Sequence, residues 1–115
     1  MSEFLTLSSQ YWQAAESIYT SEGIELPGVF LYLHSMECLM KGLLESKNEL
    51  SSSLKKTHDL ARLAIALDVY DDIVEALGNL DPSLTTFRYP TESRPDVSVM
   101  TVREYCLHLR NRLGM

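Results

Sequence analysis

The sequence is poor in the residues that break helices or staple loops. Its 115 residues include five glycines, four prolines and two cysteines. That scarcity excludes a collagen-like or low-complexity chain and a turn-rich all-β domain. Two cysteines are too few for a disulfide scaffold. Cys38 and Cys106 lie inside apolar helical patterns, which fits free buried thiols in a reducing cytoplasm. No Cys/His spacing matches a zinc site, so neither a metal nor a cofactor is expected. No apolar run is long enough to cross a bilayer, and no basic segment with an apolar core opens the sequence. The expectation is a soluble cytoplasmic protein with no membrane partner. Positive charge is scarce too: ten Lys and Arg against sixteen Asp and Glu leave a net charge of −6. A chain-wide electrostatic footprint for nucleic acid is therefore lacking. The deficit is uneven. Residues 1–50 hold two lysines against seven glutamates, whereas residues 91–115 hold four arginines against two glutamates and one aspartate. Any cationic contact would come from this last quarter, doubled if the chain dimerises.

What the sequence does have is helical periodicity over one domain, 1–115, large enough for a single core. A first helix is expected from Ser8 to Thr20, with a start nearer Glu3 also open. Phe4, Leu7, Tyr11, Ala14 or Ala15 and Ile18 form one stripe, and Leu5, Trp12 and Tyr19 a second beside it. Trp12 reads as core or interface, core being the commoner fate. Gly23 marks the stop near Ser21-Glu22-Gly23. A second, central helix is expected from Pro27 to about Ser46. After the polar Ser51-Ser52-Ser53 loop, Thr57 is the expected N-cap of a third helix, with Asp59 in its first turn and Leu60, Leu63, Ala64 and Leu67 inward. A short helix follows from Asp71 or Asp72 to Leu80, then a long loop from Ser83 to Asp96. The last helix starts near Asp96 or Ser98, with Val102, Tyr105 or Cys106, Leu109 and Leu113 inward. The fold class is all-α: an antiparallel up-and-down bundle of four main helices plus one short helix.

The central helix carries the most chemistry. From Phe30 to Leu44 it is nearly apolar, yet His34, Glu37, Lys41 and Glu45 share one narrow sector at about 100° per residue. Charges on a buried helix must find partners, since unpaired buried charge is expensive. A Glu37–Lys41 pair at the bundle rim is the plainer reading. A wider network of Glu37, Lys41, His58 and Arg88, joining the second helix, the third helix and the loop, is the sharper one. His58 either contacts a ligand or fixes the helix entry. Arg88 and Tyr89 either bind a phosphate and stack on a base, or tie the loop down. No Gly-rich phosphate loop, nucleophile elbow or metal cluster is present.

His34-Ser-Met-Glu37-Cys-Leu-Met-Lys41, then Lys56-Thr-His58-Asp59-Leu60, then Phe87-Arg88-Tyr89-Pro90, occur in an order that resembles the HEPN domains (higher eukaryotes and prokaryotes nucleotide-binding). The resemblance spans roughly Ser8 to Leu113. It implies a four- or five-helix bundle, frequent homodimerisation, and either nucleotide or RNA binding or metal-independent RNase activity. Catalytic members of that family are often toxins of toxin–antitoxin pairs or parts of phage-defence systems. An antitoxin or a nucleotidyltransferase would then be a partner. The family's RNase motif, Arg followed four to six residues later by His, is matched by Arg103 and His108. In such chemistry His moves the 2′-hydroxyl proton and Arg neutralises charge on the phosphate. The competing reading leaves Arg103, Arg110 and Arg112 as solvated side chains, the last two favourable at a helix C-terminus. The expected function is nucleotide or RNA binding through Glu37, Lys41, His58, Arg88 and Tyr89. The alternatives are an RNase using Arg103 and His108 at a dimer cleft, and a non-catalytic protein-interaction module.

Overall fold

A computed structural model of the chain describes residues 3–19, 25–69 and 99–114. Five helices and no strand are found among the described residues: α1 (Glu3–Tyr19), α2 (Glu25–Ser46), α3 (Ser52–Lys56), α4 (Leu60–Ala66) and α5 (Val99–Arg112). The all-α class follows. The expected short helix from Asp71 or Asp72 to Leu80, the loop from Ser83 to Asp96 with Arg88 and Tyr89, and the stop at Ser21-Glu22-Gly23 lie outside the described residues.

The core is built around α2. Val29, Tyr32, Leu33, Met36, Leu39, Met40 and Leu44 are essentially inaccessible. These residues share one broad face, and Ser35, Glu37, Cys38 and Lys41, buried on the other sides, leave α2 covered nearly all round. It packs against α1, α4 and α5. The α1–α2 contacts step in opposite directions along the two helices: Leu5 meets Gly42, Ser8 meets Ser35, and Glu16 meets Tyr32. The two are therefore antiparallel. Arg103 reaches Glu16 and Arg110 lies over Trp12, so α5 also runs antiparallel to α1.

The face that α1 buries is not the stripe that looks most apolar. Ser8 and Ala15 are fully buried, and Leu5, Trp12 and Tyr19 pack against the core, while Leu7 is exposed. The Leu5, Trp12 and Tyr19 stripe, together with Ala15, is the core face, and Ser8 sits in its middle. Ser8 is tolerated there because its hydroxyl donates to the Ser35 carbonyl at 2.8 Å, while the Ser35 hydroxyl donates back to the Ser8 carbonyl at 2.9 Å. Each bond is worth about 1 kcal/mol net, and each removes the penalty of a buried unpaired hydroxyl. Small side chains here let the two backbones approach. A Cβ added at Gly42 would lie 2.6 Å from Leu5 Cδ2 and 3.1 Å from the Leu5 backbone nitrogen. Gly42→Ala is therefore expected to lose about 1 kcal/mol. Overpacking of about 1–3 kcal/mol outweighs the gain of up to about 1 kcal/mol in helix propensity. Urea denaturation reads this directly. A variant as stable as wild type would mean that Leu5 and its backbone move aside freely.

Helix ends depart from expectation in instructive ways. α1 begins at Glu3, the earlier of the two starts expected, while α2 begins at Glu25, two residues before Pro27. Pro27 lies in the first turn of α2, where its missing N–H would have had no helical partner. The serine loop is the start of α3: Ser51 caps it by accepting from the Leu54 N–H at 3.1 Å. Thr57 is not the N-cap of α4. Asp59 is, accepting from the Arg62 N–H at 3.2 Å. Thr57 instead closes α3, and its hydroxyl accepts from the Asp59 N–H. The expected inward residues of α4, Leu60, Leu63, Ala64 and Leu67, are all buried, although α4 is only seven residues long. Two helices end on left-handed residues, Asn48 after α2 and Asp68 after α4. In both, the next amide reaches back five residues, Glu49 to Leu44 and Val69 to Ala64, and satisfies an orphan carbonyl.

Candidate functional site

The polar stripe of α2 is resolved into a connected set of bonds. Glu37 and Lys41 are 6% and 3% exposed, so neither is a rim residue. The Lys41 amine donates to Glu37 Oε2 at 3.1 Å and to the Lys55 carbonyl, in α3, at 2.7 Å. The second carboxylate oxygen, Glu37 Oε1, lies 2.9 Å from His58 Nδ1. A carboxylate only accepts, so Nδ1 carries the proton in this bond, and Nε2 is the other end of the ring. His58 side-chain exposure is 44%, against 8% for Glu37. One buried carboxylate thus orients a half-exposed imidazole, and one buried ammonium balances that carboxylate and pins α3. Three of the five residues expected for binding, Glu37, Lys41 and His58, are brought together. The other two, Arg88 and Tyr89, lie outside the described residues.

The remaining members of the stripe stay apart from this network. His34 Nδ1 is 2.8 Å from the Phe30 carbonyl one turn back, and its ring lies against Tyr11. Glu45 is exposed near the end of α2.

Arg103 has a different environment from the one its motif suggested. Its Nε donates to Glu16 Oε1 at 2.7 Å and its Nη2 to Glu16 Oε2 at 3.2 Å, a two-pronged tie between α5 and α1. Its guanidinium lies 4.7 Å from the Tyr19 ring centroid, and Tyr32 donates its hydroxyl to the same Glu16 oxygen at 2.6 Å. His108 is exposed on the same uninterrupted helix. Five helical residues separate two side chains by about 140°, so one chain does not bring this pair to one point. Arg110, read as solvated, instead covers Trp12, its guanidinium 4.9 Å from the ring. Sequence reading missed the Glu16 partnership. Glu16 lies four residues after Trp12 and three before Tyr19, on the side of α1 that proves to be buried, and this was the available signal.

The Arg103 guanidinium beside Glu16 is the largest influence on that carboxyl and holds it below its ordinary value, with the Tyr32 hydroxyl assisting. Burial, then the Glu16 carboxylate, pushes the Tyr32 phenol up, and Glu16 raises Arg103 further. A carboxyl lowered in the folded state stabilises the fold above its unfolded value, and the contribution is lost as pH falls through the folded value. The window therefore lies below the ordinary value of 4.5. Glu16→Gln is expected to cost about 1 kcal/mol at neutral pH. The gap to wild type should close in acid, as read by thermal melts across pH. A gap unchanged in acid would exclude ionic stabilisation.

Burial raises both thiols, Cys38 to about 11 and Cys106 to about 12, so neither is a nucleophile at neutral pH. No group of three or more metal-ligating side chains occurs among the described residues, and no helix among them is long and apolar enough to cross a membrane. No family model, curated protein or solved structure matches the chain.

Proposed function

We propose that the chain is a HEPN-like nucleotide- or RNA-binding protein whose site is organised by Glu37, Lys41 and His58. The observation that carries this reading is the half-exposed imidazole of His58 held by a carboxylate that is itself buried. Two charges placed inside an apolar helix add little stability over an apolar pair. They do fix the ring and the donor role of its Nδ1, which a binding site requires. The resemblance in motif order adds Arg88 and Tyr89 as the loop side of the site, and up-and-down closure of the bundle by residues beyond Val69. Homodimerisation, and a role beside an antitoxin or in phage defence, belong to the same proposal.

The RNase alternative, with Arg103 and His108 at a dimer cleft, asks Arg103 to leave Glu16 or to serve phosphate while paired to it. The binding reading carries no such requirement and stands first. Both are tested on one preparation. Labelled single-stranded RNA and ATP are titrated against the full chain, and a mixed RNA pool is incubated with it in the presence of a chelator. Saturable binding without cleavage is the expected result. Chelator-resistant cleavage that disappears in His108→Ala would replace the binding reading with the RNase one. Neither binding nor cleavage would remove both and leave the protein-interaction module.

A further inference from the structure

We infer that the corner between α3 and α4 is a phosphate-binding surface on which His58, as the imidazolium, makes the direct contact by donating from Nε2. Glu37 and Lys41 position that ring without touching the ligand, and Lys55, Lys56 and Arg62 supply the attracting charge. This rests on the binding function proposed for the same network and adds which groups meet the ligand.

The division of labour follows from access and valence. Glu37 spends one oxygen on Lys41 and the other on His58. Lys41 spends its amine on Glu37 and the Lys55 carbonyl. Both side chains are more than nine-tenths buried, so a ligand reaches neither. Among the described residues only the Nδ1 of His58 is engaged, and the bond to Glu37 sets the direction of the opposite ring nitrogen. The polar group that the network offers outward is therefore Nε2, and since a phosphate oxygen only accepts, it is met by the imidazolium, Nδ1 donating to Glu37 and Nε2 to the ligand.

The surroundings have the sign that a phosphate needs. Lys55, Lys56 and Arg62 are exposed in a chain whose net charge is −6. Between Ser51 and Arg62 the only carboxylate is Asp59, whose Oδ1 caps α4, so three cations stand against one anion there. Arg62 is steadied beside α3 by donating to Ser53 Oγ at 2.6 Å. The Lys41 bond holds the backbone of Lys55, not its side chain, so the corner is anchored while its lysine amines stay free to face a ligand. The corner joins two short helices, and the buried ion pair is what fastens it to α2. The shared ligand chemistry is a phosphate ester, from either a free nucleotide or the backbone of single-stranded RNA.

The test uses the full chain with two probes, ATP and a short labelled single-stranded RNA, over a series of salt concentrations. Imidazole nitrogen resonances are recorded alongside. Variants are His58→Ala, the surface pair Lys55→Gln with Lys56→Gln, and the buried pair Glu37→Leu with Lys41→Met. His58→Ala is expected to weaken binding about tenfold or more. The lysine pair is expected to lower the salt slope for RNA by roughly two. The His58 Nε2 resonance should move on titration, and the buried-pair variant should stay helical yet bind weakly. A response to RNA alone assigns the backbone as the source, and a response to ATP alone assigns the nucleotide. Binding that survives His58→Ala and the lysine pair unchanged overturns this surface and leaves the binding function standing. No binding of either probe by wild type overturns both. Should His58→Ala unfold, the exposed lysine pair and the wild-type Nε2 shift still decide, and a silent resonance sinks the inference.

Discussion

Lys41→Ala is expected to destabilise the fold by about 3–5 kcal/mol. The loss is far larger than any single bond it removes. Truncating the side chain strands the Glu37 carboxylate inside α2, with only His58 left to meet it, and leaves the Lys55 carbonyl without its amine. The penalty is one of uncompensated charge, so it should vanish when both charges go. Glu37→Leu with Lys41→Met is expected to fall within about 1 kcal/mol of wild type, or above it, because an apolar pair of similar volume needs no desolvation. Urea denaturation of the three chains measures the contrast. A single variant that costs less than about 1 kcal/mol would show that water reaches the pair in solution, and the buried network would then be wrong.

Tyr32→Ala carries the second large expected effect, a loss of about 3–5 kcal/mol from the cavity and lost burial. Tyr32 is fully inaccessible and meets both Trp12 and Tyr19 edge-on, at centroid separations of 5.5 and 6.5 Å. Its hydroxyl also steadies Glu16 for Arg103. Tyr32→Phe separates the two roles. It keeps the ring and removes only the bond to Glu16, so it should cost about 1 kcal/mol. Equal losses in the two variants would place the weight on the hydroxyl instead of on the ring. Thermal melts at neutral pH distinguish these outcomes.

Local sequence pattern made α2 legible because an all-round apolar helix has one place to go, the centre. The same logic forecast that Glu37 and Lys41 must pair and that His58 would be within reach. What local pattern did not show was which side of α1 turns inward. Ser8 lowers the apparent apolarity of the correct stripe, and only its exchange of bonds with Ser35, 27 residues away, makes it a core residue. The Arg103 tie is illegible for the same reason at longer range: its partner Glu16 lies 87 residues earlier, and no helical period connects them. The α4 cap was missed by two residues. Thr57 and Asp59 are both good capping types, and the choice between them falls to the backbone path out of α3. The basic character of the α3–α4 corner was present in the sequence. The arginines of the last quarter stand out more by number, yet two of them cover or tie residues of α1.

The lid on α2 is made by the last described helix. Val102, Cys106 and Leu109 are all fully inaccessible and pack into the same core as Tyr32 and Leu33. A growing chain that has released only α1 and α2 therefore carries a wide oily strip that Val102, Cys106 and Leu109 have not yet reached. Synthesis halted before Val99 would yield a species inclined to stick to others of its kind. Closure of this core waits for α5, and a chain truncated before that helix would be a molecule for chaperones and proteases to clear.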